Sequence, residues 1–257
     1  MSTKFLPIDT HAHIDTEIAG SDLDALRAFV FGMTRSLEEF ERLSRNDSRV
    51  IWAIGAHPGL VRAQRAFNAD SFRQLMIRTP VVGEAGLDGA SRVPMDTQLQ
   101  TFREILLAVA ETPRIISIHS YRAEAQVLRE LNRIPIRGAV LHWWTGSQGL
   151  TEEAIRLGCY FSVPPAAAGA LGVDFLRQIP RDKILTETDH PSGDRRGPSP
   201  RRPGNIREVE RHLTKTWSLD EDGVRHQIWQ NLALLVNETG TERLFGADWS
   251  SCLKAAK

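Results

Sequence analysis

Eight short apolar runs alternate with amphipathic segments along most of this chain, and this alternation constrains the fold more than any other feature of the sequence. Short apolar runs separated by stretches of helical periodicity are typical of β-α-β units, which build parallel sheets. Eight such runs predict a (β/α)8 barrel, the TIM barrel, with a doubly wound open sheet as the alternative. The runs are Phe5–Ile8, Ala28–Met33, Val50–Ile54, Val81–Val82, Ile115–Ile118, Ala139–Leu141, Tyr160–Val163 and Ile184–Leu185.

The segments between the runs have the pattern of surface helices. One of them, DTQLQTFREILLAVAE at residues 96–111, repeats its apolar residues at helical spacing. Ser36 and Asp96 are expected to be the N-caps of two such helices. No glycine-rich phosphate fingerprint follows the first run, which favours the barrel over the open sheet. Residues 191–204, PSGDRRGPSPRRPG, are rich in proline, glycine and arginine and are predicted to form a loop.

Length and composition suit one globular domain that spans residues 1–257. The formal net charge is zero, so an anionic substrate must be bound by a local patch rather than by a global field. Cys159 and Cys252 lie far apart and have the spacing of neither a metal site nor a disulfide framework. The sequence has no secretory pattern and no long apolar stretch, so it predicts a cytoplasmic protein without a membrane segment.

Most of the apolar runs end in the same kinds of polar residue. In a barrel of this type the carboxyl ends of the strands meet at one mouth, where active sites lie. His11 and His13 are one residue apart, so a strand would direct both rings to the same face. Seven side chains are therefore expected to converge: His11, His13, His57, Glu84, His119, His142 and Asp189.

Imidazoles and carboxylates together are ligands for divalent cations such as Mg2+, Mn2+, Fe2+ or Zn2+. A carboxylate can bridge two cations, and Glu84 is the expected bridge because it lies between two histidine groups. Two metals about 3.5–4 Å apart can activate a water and clamp both oxygens of an in-line displacement. Asp189 is expected to hold a metal and to accept the proton of that water. Glu84 and Asp189 are thus the predicted catalytic residues.

Several polar residues have more than one interpretation. His57 lies in a Gly-x-His-Pro sequence, which is also an ordinary turn. Glu187 shares strand spacing with Asp189, so it is either a ligand or a residue that supports one. Asp9 and Asp15 flank the first two histidines and are expected to orient them.

Taken in order, these motifs resemble those of the TatD family of metal-dependent hydrolases, within the amidohydrolase-like barrel superfamily. The resemblance implies a barrel that holds two or three divalent cations, Mg2+, Mn2+ or Zn2+. The matching segments run from residue 9 to 191, with a further one near the end of the chain. They are DTHAHID, AIGAHPG, VVGEAGLD, QLQTFREILLAVA, IISIHS, GAVLHWWTG, ILTETDHP and QNLALLV.

The resemblance also implies two ligand sets that share Glu84. Family members are commonly deoxyribonucleases that trim DNA from the 3′ end, which implies phosphodiester hydrolysis by a metal-activated water. His57 would lie near the substrate or near an extra metal. The first ligand set is His11, His13, Glu84 and Asp189, and the second is Glu84, His119 and His142.

The residues expected to line the substrate depart from the family pattern. The family usually has arginine after the HS pair, but here Tyr121 follows, with Arg122 next. The aromatic-Ser-Gly sequence after the later histidine becomes WWTG. Trp143 or Trp144 can stack an unpaired base, although one of two adjacent tryptophans on a strand is expected to lie in the core.

Arginines just after the last run are predicted to bind phosphates at the mouth, with a solvated loop as the alternative. This patch is Arg195, Arg196, Arg201, Arg202 and Arg207. The predicted substrate-binding residues are His57, Arg122, Trp143, Arg201 and Arg202.

Three functions are compatible with these residues. The first is a nuclease that acts on the ends of single-stranded DNA, supported by the ligand set and the arginine-rich loop. The second is a metal-dependent amidohydrolase or esterase that acts on an acyl, lactone or aminoacyl substrate, because the same cations polarise carbonyl groups. The third is an accessory subunit with a relict site, which the complete ligand set argues against.

Overall fold

The computed structural model describes residues 5–170, 172–195 and 199–257. Within these ranges each of eight strands overlaps one of the eight apolar runs of the sequence, although β1 begins only at Ile8, the last residue of its run. The strands are β1 (Ile8–Ala12), β2 (Phe29–Met33), β3 (Val50–Ala53), β4 (Val81–Gly86), β5 (Ile115–His119), β6 (Ala139–His142), β7 (Tyr160–Val163) and β8 (Ile184–Thr186).

All the strands pair in parallel and in sequence order, which is the order of a (β/α)8 barrel and not of a doubly wound sheet. One sheet contains β1 to β3 and the other contains β4 to β8. The sheets meet at two seams. At the first, Gly83 N donates to Ile54 O at 2.8 Å, and at the second His13 N donates to His190 O at 3.0 Å. The TIM-barrel prediction is confirmed, with the strand ladder interrupted at these seams.

The helices follow the strands, and the residues of the strands are almost all buried, as expected of strands covered on both faces. No helix among the described residues is long and apolar enough to cross a membrane. The helices are α1 (Gly20–Ala25), α2 (Leu37–Glu41), α3 (Val61–Ala66), α4 (Ala69–Met76), α5 (Met95–Glu111), α6 (Glu124–Arg133), α7 (Gln148–Arg156), α8 (Pro165–Ala170), α9 (Gly172–Gln178), α10 (Arg207–Trp217), α11 (Glu221–Thr239) and α12 (Ala247–Ala255).

The sequence predicted one of two helix caps correctly. Ser36 caps α2, because its hydroxyl accepts a hydrogen bond from Glu39 N at 3.1 Å. The prediction that Asp96 caps α5 is wrong: the N-cap is Pro94, two residues earlier, and Asp96 lies in the first turn of the helix. Its carboxylate is still well placed there, since negative charge stabilises a helix N-terminus. The predicted loop at 191–204 contains neither helix nor strand in its described residues.

Asp9 is a fully buried carboxylate that ties β1 to the chain after β8. Its Oδ1 accepts from Thr188 N at 2.9 Å, and its Oδ2 accepts from Gly204 N at 2.7 Å. Its only described contact with His11 is to the backbone N, at 3.3 Å, so Asp9 does not orient that ring as expected. Asp15 accepts a hydrogen bond from Glu17 N instead of contacting a histidine. These contacts indicate that Asp9 holds the seam between β1 and the chain after β8.

Candidate metal centre

The six predicted metal ligands lie close together at the carboxyl ends of the strands. Each comes from a strand end or from the residues directly after one, which explains how residues so far apart in sequence meet. His11 lies in β1 and His13 follows it, Glu84 lies in β4, His119 and His142 end β5 and β6, and Asp189 follows β8.

Glu84 lies at the centre of this cluster, and its two carboxylate oxygens face different histidines. Oε1 lies 2.5 Å from His119 Nδ1 and 2.9 Å from His142 Nε2. Oε2 lies 3.1 Å from His13 Nε2 and 3.2 Å from His57 Nε2. A carboxylate with its oxygens divided in this way can offer one oxygen to each of two cations, which is the geometry expected of a bridging ligand.

Asp189 joins the half of the cluster that faces Glu84 Oε2. Its Oδ1 lies 3.7 Å from His11 Nε2 and 4.0 Å from His13 Nε2. Its backbone N donates to His11 O at 2.8 Å, which fixes the residue against β1. Among the described residues, four groups have ligand atoms within 4.8 Å of one another. Two of them divide the six predicted ligands: His11, His13 and Asp189 form one, and Glu84, His119 and His142 form the other. The other two are His13 with His57 and Glu84, and His11 with His142 and Glu187.

The unpaired atoms of the cluster and the protonation states of His11 and Glu84 suit divalent cations. Burial lowers the pKa of His11, so its imidazole is neutral and can be a ligand. Burial opposes ionisation of Glu84, but the nearby His57 and His119 outweigh it and hold the pKa of that carboxyl well below its usual range. Burial lowers the pKa of His142, but the carboxylates of Glu187 and Glu84 outweigh it and raise that pKa well above its usual value, so this ring would have to release a proton to bind a cation. Among the described residues, His11 Nε2 and Glu84 Oε2 are buried without a hydrogen-bond partner. The two atoms lie 3.8 Å apart, and both have lone pairs that can bind a metal. A bound cation would supply the partner that they lack.

His11 and His13 each use the ring nitrogen that faces away from the cluster to form a hydrogen bond. The sequence did not predict the partners of these hydrogen bonds. His11 Nδ1 lies 2.7 Å from Ser117 Oγ, and His13 Nδ1 lies 3.3 Å from Met33 O. Such contacts fix the orientation of a ligating imidazole. Ser117 precedes His119 by two residues on β5 and therefore faces the same side, a signal that strand alternation could have supplied.

Glu187 supports His142 and the backbone after β6. It is fully buried, and its Oε1 lies 3.8 Å from His142 Nδ1. The same oxygen accepts from Trp143 N at 2.8 Å, and the hydroxyl of Ser162 donates to the other oxygen. Of the two sequence interpretations, these contacts favour support of a ligand over ligation.

His57 lies at the edge of the cluster. Its Nδ1 accepts a hydrogen bond from Gly59 N at 2.9 Å, so a neutral ring carries its proton on Nε2. Burial lowers the pKa of His57, which favours this neutral form. Although His57, His13 and Glu84 lie close enough to hold a cation, the hydrogen bond from Gly59 makes His57 Nε2 a donor. Between the two roles implied by resemblance, this geometry favours contact with substrate over a third metal.

Arg122 and the two tryptophans lie directly after the histidine-bearing strands β5 and β6. Arg122 is exposed, and its guanidinium carbon lies 5.3 Å from the ring centroid of Tyr121. Trp143 is half-buried, whereas Trp144 is buried and donates from Nε1 to Thr151 Oγ1 at 2.9 Å. One tryptophan therefore belongs to the core, as expected, and Trp143 is the one partly open to solvent beside the cluster.

Of the described arginines after β8, Arg201 and Arg202 lie at different places. Arg201 is close to the end of β8: its guanidinium donates to Pro191 O at 2.9 Å and lies 3.3 Å from Asp194. Arg202 instead donates to Ala25 O at 3.2 Å, at the end of α1 that leads into β2 and so away from the metal cluster. Arg195 and Arg207 are exposed, and Arg196 lies outside the described residues.

Comparisons with known proteins agree with this geometry. Residues 8–237 match the model of the family described as TatD related DNase. A putative deoxyribonuclease, tatdn3, of Danio rerio is 26% identical over 258 residues, covering 90% of this chain and 97% of the relative. A 3′-5′ ssDNA/RNA exonuclease TatD of Edwardsiella piscicida is 32% identical over 155 residues, covering 54% of this chain and 58% of the relative.

The fold comparison gives the same family. The crystal structure of YjjV, a TatD homologue from Escherichia coli, superposes with a TM-score of 0.78 and 25% sequence identity. The superposition covers 90% of this chain and 97% of that structure. The chain therefore belongs to the TatD related DNase family of metal-dependent hydrolases.

Proposed function

We propose that this protein is a deoxyribonuclease that hydrolyses phosphodiester bonds at an end of single-stranded DNA, using two divalent cations. The observation that carries the proposal is the divided carboxylate of Glu84. One oxygen faces His119 and His142, and the other faces His13 in the set that includes Asp189. Two cations on either side of one carboxylate suit in-line displacement at a phosphate.

The proposed metal ligands are the six residues of the two donor sets: His11, His13, Asp189, Glu84, His119 and His142. When bound, Mg2+, Mn2+ or Zn2+ would supply Lewis acidity and lower the pKa of the attacking water. Ser117 and Met33 O hold the rings of His11 and His13, and Glu187 holds the backbone beside His142.

Asp189 is the proposed acceptor of the proton released by the attacking water. Without a cation, burial raises the pKa of its carboxyl to about 7, and a bound cation would lower that pKa, so the carboxylate is the form expected in the loaded site. Its Oδ1 is held beside His11 and His13, so the acceptor oxygen faces the half of the cluster that Glu84 Oε2 shares.

The substrate side of the proposal rests on His57, Arg122 and Trp143, whereas the guanidinium of Arg201 is already paired with Asp194 at 3.3 Å. His57 Nε2 donates toward the centre, and Arg122 offers an exposed guanidinium next to β5. Trp143 offers a partly open ring on which an unpaired base can stack. Preference for a single-stranded end is supported by the name of the Edwardsiella relative, a 3′-5′ ssDNA/RNA exonuclease.

The proposal is tested with end-labelled single-stranded DNA, Mg2+ or Mn2+, and a Glu84→Ala/Asp189→Asn variant as the matched control. Stepwise loss of nucleotides by the wild type only is the expected result, and the choice of label shows which end is attacked. The competing amidohydrolase or esterase function predicts turnover of lactone or aminoacyl esters instead. Turnover of those esters by a metal-loaded wild type that leaves DNA intact would overturn the nuclease proposal.

A further inference from the structure

A large cleft lies between the helices that follow β2 and those that follow β3, and the proposed function does not use it. Its volume is about 1,020 Å³, at the upper end of the range for ligand sites. One wall is formed by the segment after β2 and by α2, and the other by α3 and α4. Residues at its upper rim include Arg35, Ser36, Leu60 and Val61.

The backbone of His57 joins the two walls of this cleft. His57 N donates to Arg35 O at 3.0 Å, and Leu60 N donates to His57 O at 3.2 Å. The ring of the same histidine extends to Glu84, with Nε2 3.2 Å from Oε2. His57 therefore connects the rim of the cleft to the proposed reaction centre, because its backbone contacts Arg35 and its ring contacts Glu84.

Arg35 has a fixed backbone and an exposed side chain at this rim. Its backbone N donates to Glu39 Oε2 at 2.5 Å, and its backbone O accepts from His57 N. Both polar backbone groups of the residue are therefore hydrogen-bonded. The side chain is exposed and lines the cleft. The aliphatic part of the side chain can change rotamer while the backbone stays fixed next to His57. This freedom suits a guanidinium that binds a phosphate.

Within the described part of the cleft, Arg35 is the arginine that has no carboxylate within ion-pair distance. Arg42 and Arg62 both contact Glu38, at 2.6 Å and 2.8 Å, and Arg45 contacts Asp47 at 2.7 Å. The cleft thus offers one guanidinium without an ion-pair partner, at the rim next to His57. The rest of its described lining has no second unpaired arginine and includes the carboxylates Glu17, Glu38, Glu39, Glu41 and Asp47. Such a distribution fits one phosphate next to the centre and excludes a run of phosphates along the cleft.

The cleft also has an exposed apolar pair at the start of α3. Leu60 and Val61 are 40% and 39% exposed. Both line the cleft that Arg35 lines. An exposed apolar pair beside a cation matches the two parts of a nucleotide, the base with its sugar and the phosphate.

We propose that this cleft binds the nucleotide adjacent to the scissile bond, with Arg35 on its phosphate and Leu60 and Val61 against its base and sugar. The inference rests on the proposed nuclease function and assigns the substrate unit that the cleft recognises. Arg35 is a substrate-positioning residue in this arrangement, and the proposed metal ligands do not include it.

The test compares Arg35→Gln with Arg62→Gln in metal-loaded, full-length protein. Arg62 lines the same cleft, but its guanidinium is already paired with Glu38, so it is the matched control. The probe is a fluorescein-labelled hexathymidylate with phosphorothioate linkages, which resists cleavage, and its binding is followed by fluorescence anisotropy at several KCl concentrations. Arg35→Gln should weaken binding about tenfold or more. It should also reduce the salt slope by roughly 0.7, the value for one single-strand phosphate contact.

Arg62→Gln should bind within about twofold of wild type, because it removes no uncommitted charge. Leu60→Ser should weaken binding without altering the salt slope, since it removes an apolar contact only. Equal Kd and equal salt slope for Arg35→Gln and wild type would overturn the inference, as would absence of binding by the wild type.

Cleavage of the unmodified oligonucleotide is measured separately and separates this inference from the proposed function. A wild type that binds through Arg35 but cleaves nothing would contradict only the nuclease function. If the wild type cleaves the oligonucleotide and Arg35→Gln has the same KM for it, only the assignment of the cleft would be contradicted.

Discussion

Replacing Ser117 by alanine should weaken one metal site without removing a ligand. The hydroxyl of Ser117 lies 2.7 Å from His11 Nδ1, and both residues are buried, so water cannot replace the lost contact. The hydroxyl fixes the ring so that Nε2 faces Glu84 and Asp189. Removing an outer partner of a ligating histidine typically lowers metal affinity about 10–100-fold. That range corresponds to about 1.4–2.8 kcal/mol of binding free energy.

The assay is a competition titration of the metal-free protein with a chromophoric chelator and Co2+ or Zn2+. Ser117→Ala should retain two binding events per chain, with the affinity of one event lowered and that of the other unchanged. Thr239→Val is the matched control, because it also removes a buried hydroxyl, which donates to Leu235 O at 3.0 Å within α11. This control should lose about 1 kcal/mol of folding stability and none of its metal affinity.

Metal affinity of Ser117→Ala within about twofold of wild type at both sites would refute the reasoning. It would mean that packing alone sets the orientation of His11. Equal loss of affinity in Thr239→Val would have a different meaning, because the loss would then follow from reduced stability and not from the ring of His11.

Three further predictions concern the same structure. Asp189→Asn should lower kcat far more than metal content, because Asp189 is the proposed proton acceptor; a loss of kcat no larger than the loss of bound metal, measured on the same preparation, would count against that role. Burial raises the pKa of Asp189 to about 7, so below about pH 7 a proton competes with the metal: affinity should fall as the pH is lowered and level off above it, and metal titrations from pH 5.5 to 8.5 should show a weaker dependence in Asp189→Asn. Arg225→Met should cost about 3 kcal/mol in chemical denaturation, because it leaves the buried carboxylate of Glu210 unpaired where Arg225 now donates two hydrogen bonds of 2.6 and 2.9 Å, and Arg225→Met/Glu210→Leu should recover most of the loss.

The strands and the metal cluster were predictable because both depend on local rules. Each apolar run overlaps a strand, and strand ends in a barrel converge whatever the details of packing. His11, Glu84 and Asp189 therefore meet although they are distant in sequence. Assignment of the whole of residues 1–257 to one domain stays a prediction, as do the individual roles of the site residues.

The contacts that support the cluster depend on tertiary detail that a single sequence does not carry. Ser117 could have been found by strand alternation, since it lies two residues before His119. The carbonyl of Met33 and the amide of Gly59 could not, because any residue supplies such groups. Arg202 was placed at the mouth by proximity in sequence, but the loop after β8 passes beside β1 and carries it to the end of α1.

The cleft beside His57 was also beyond the sequence. Its lining comes from three separate connections: β1 to β2, β2 to β3, and β3 to β4. Which of its arginines can bind a phosphate depends on which are already paired with a carboxylate. The sequence shows Arg35, Arg42 and Arg62 as equivalent residues, whereas the structure pairs two of them with Glu38 and leaves Arg35 at the rim.

The most direct test of the central claim, two cations divided by Glu84, is the metal stoichiometry of wild type and His119→Ala/His142→Ala after equilibrium dialysis. Circular dichroism of both proteins provides the folding control. The structure predicts two divalent cations per chain in the wild type and one in the variant, because His11, His13 and Asp189 remain in place. Equal stoichiometry in the two proteins, or loss of both cations from a folded variant, would contradict the division of ligands between two sites.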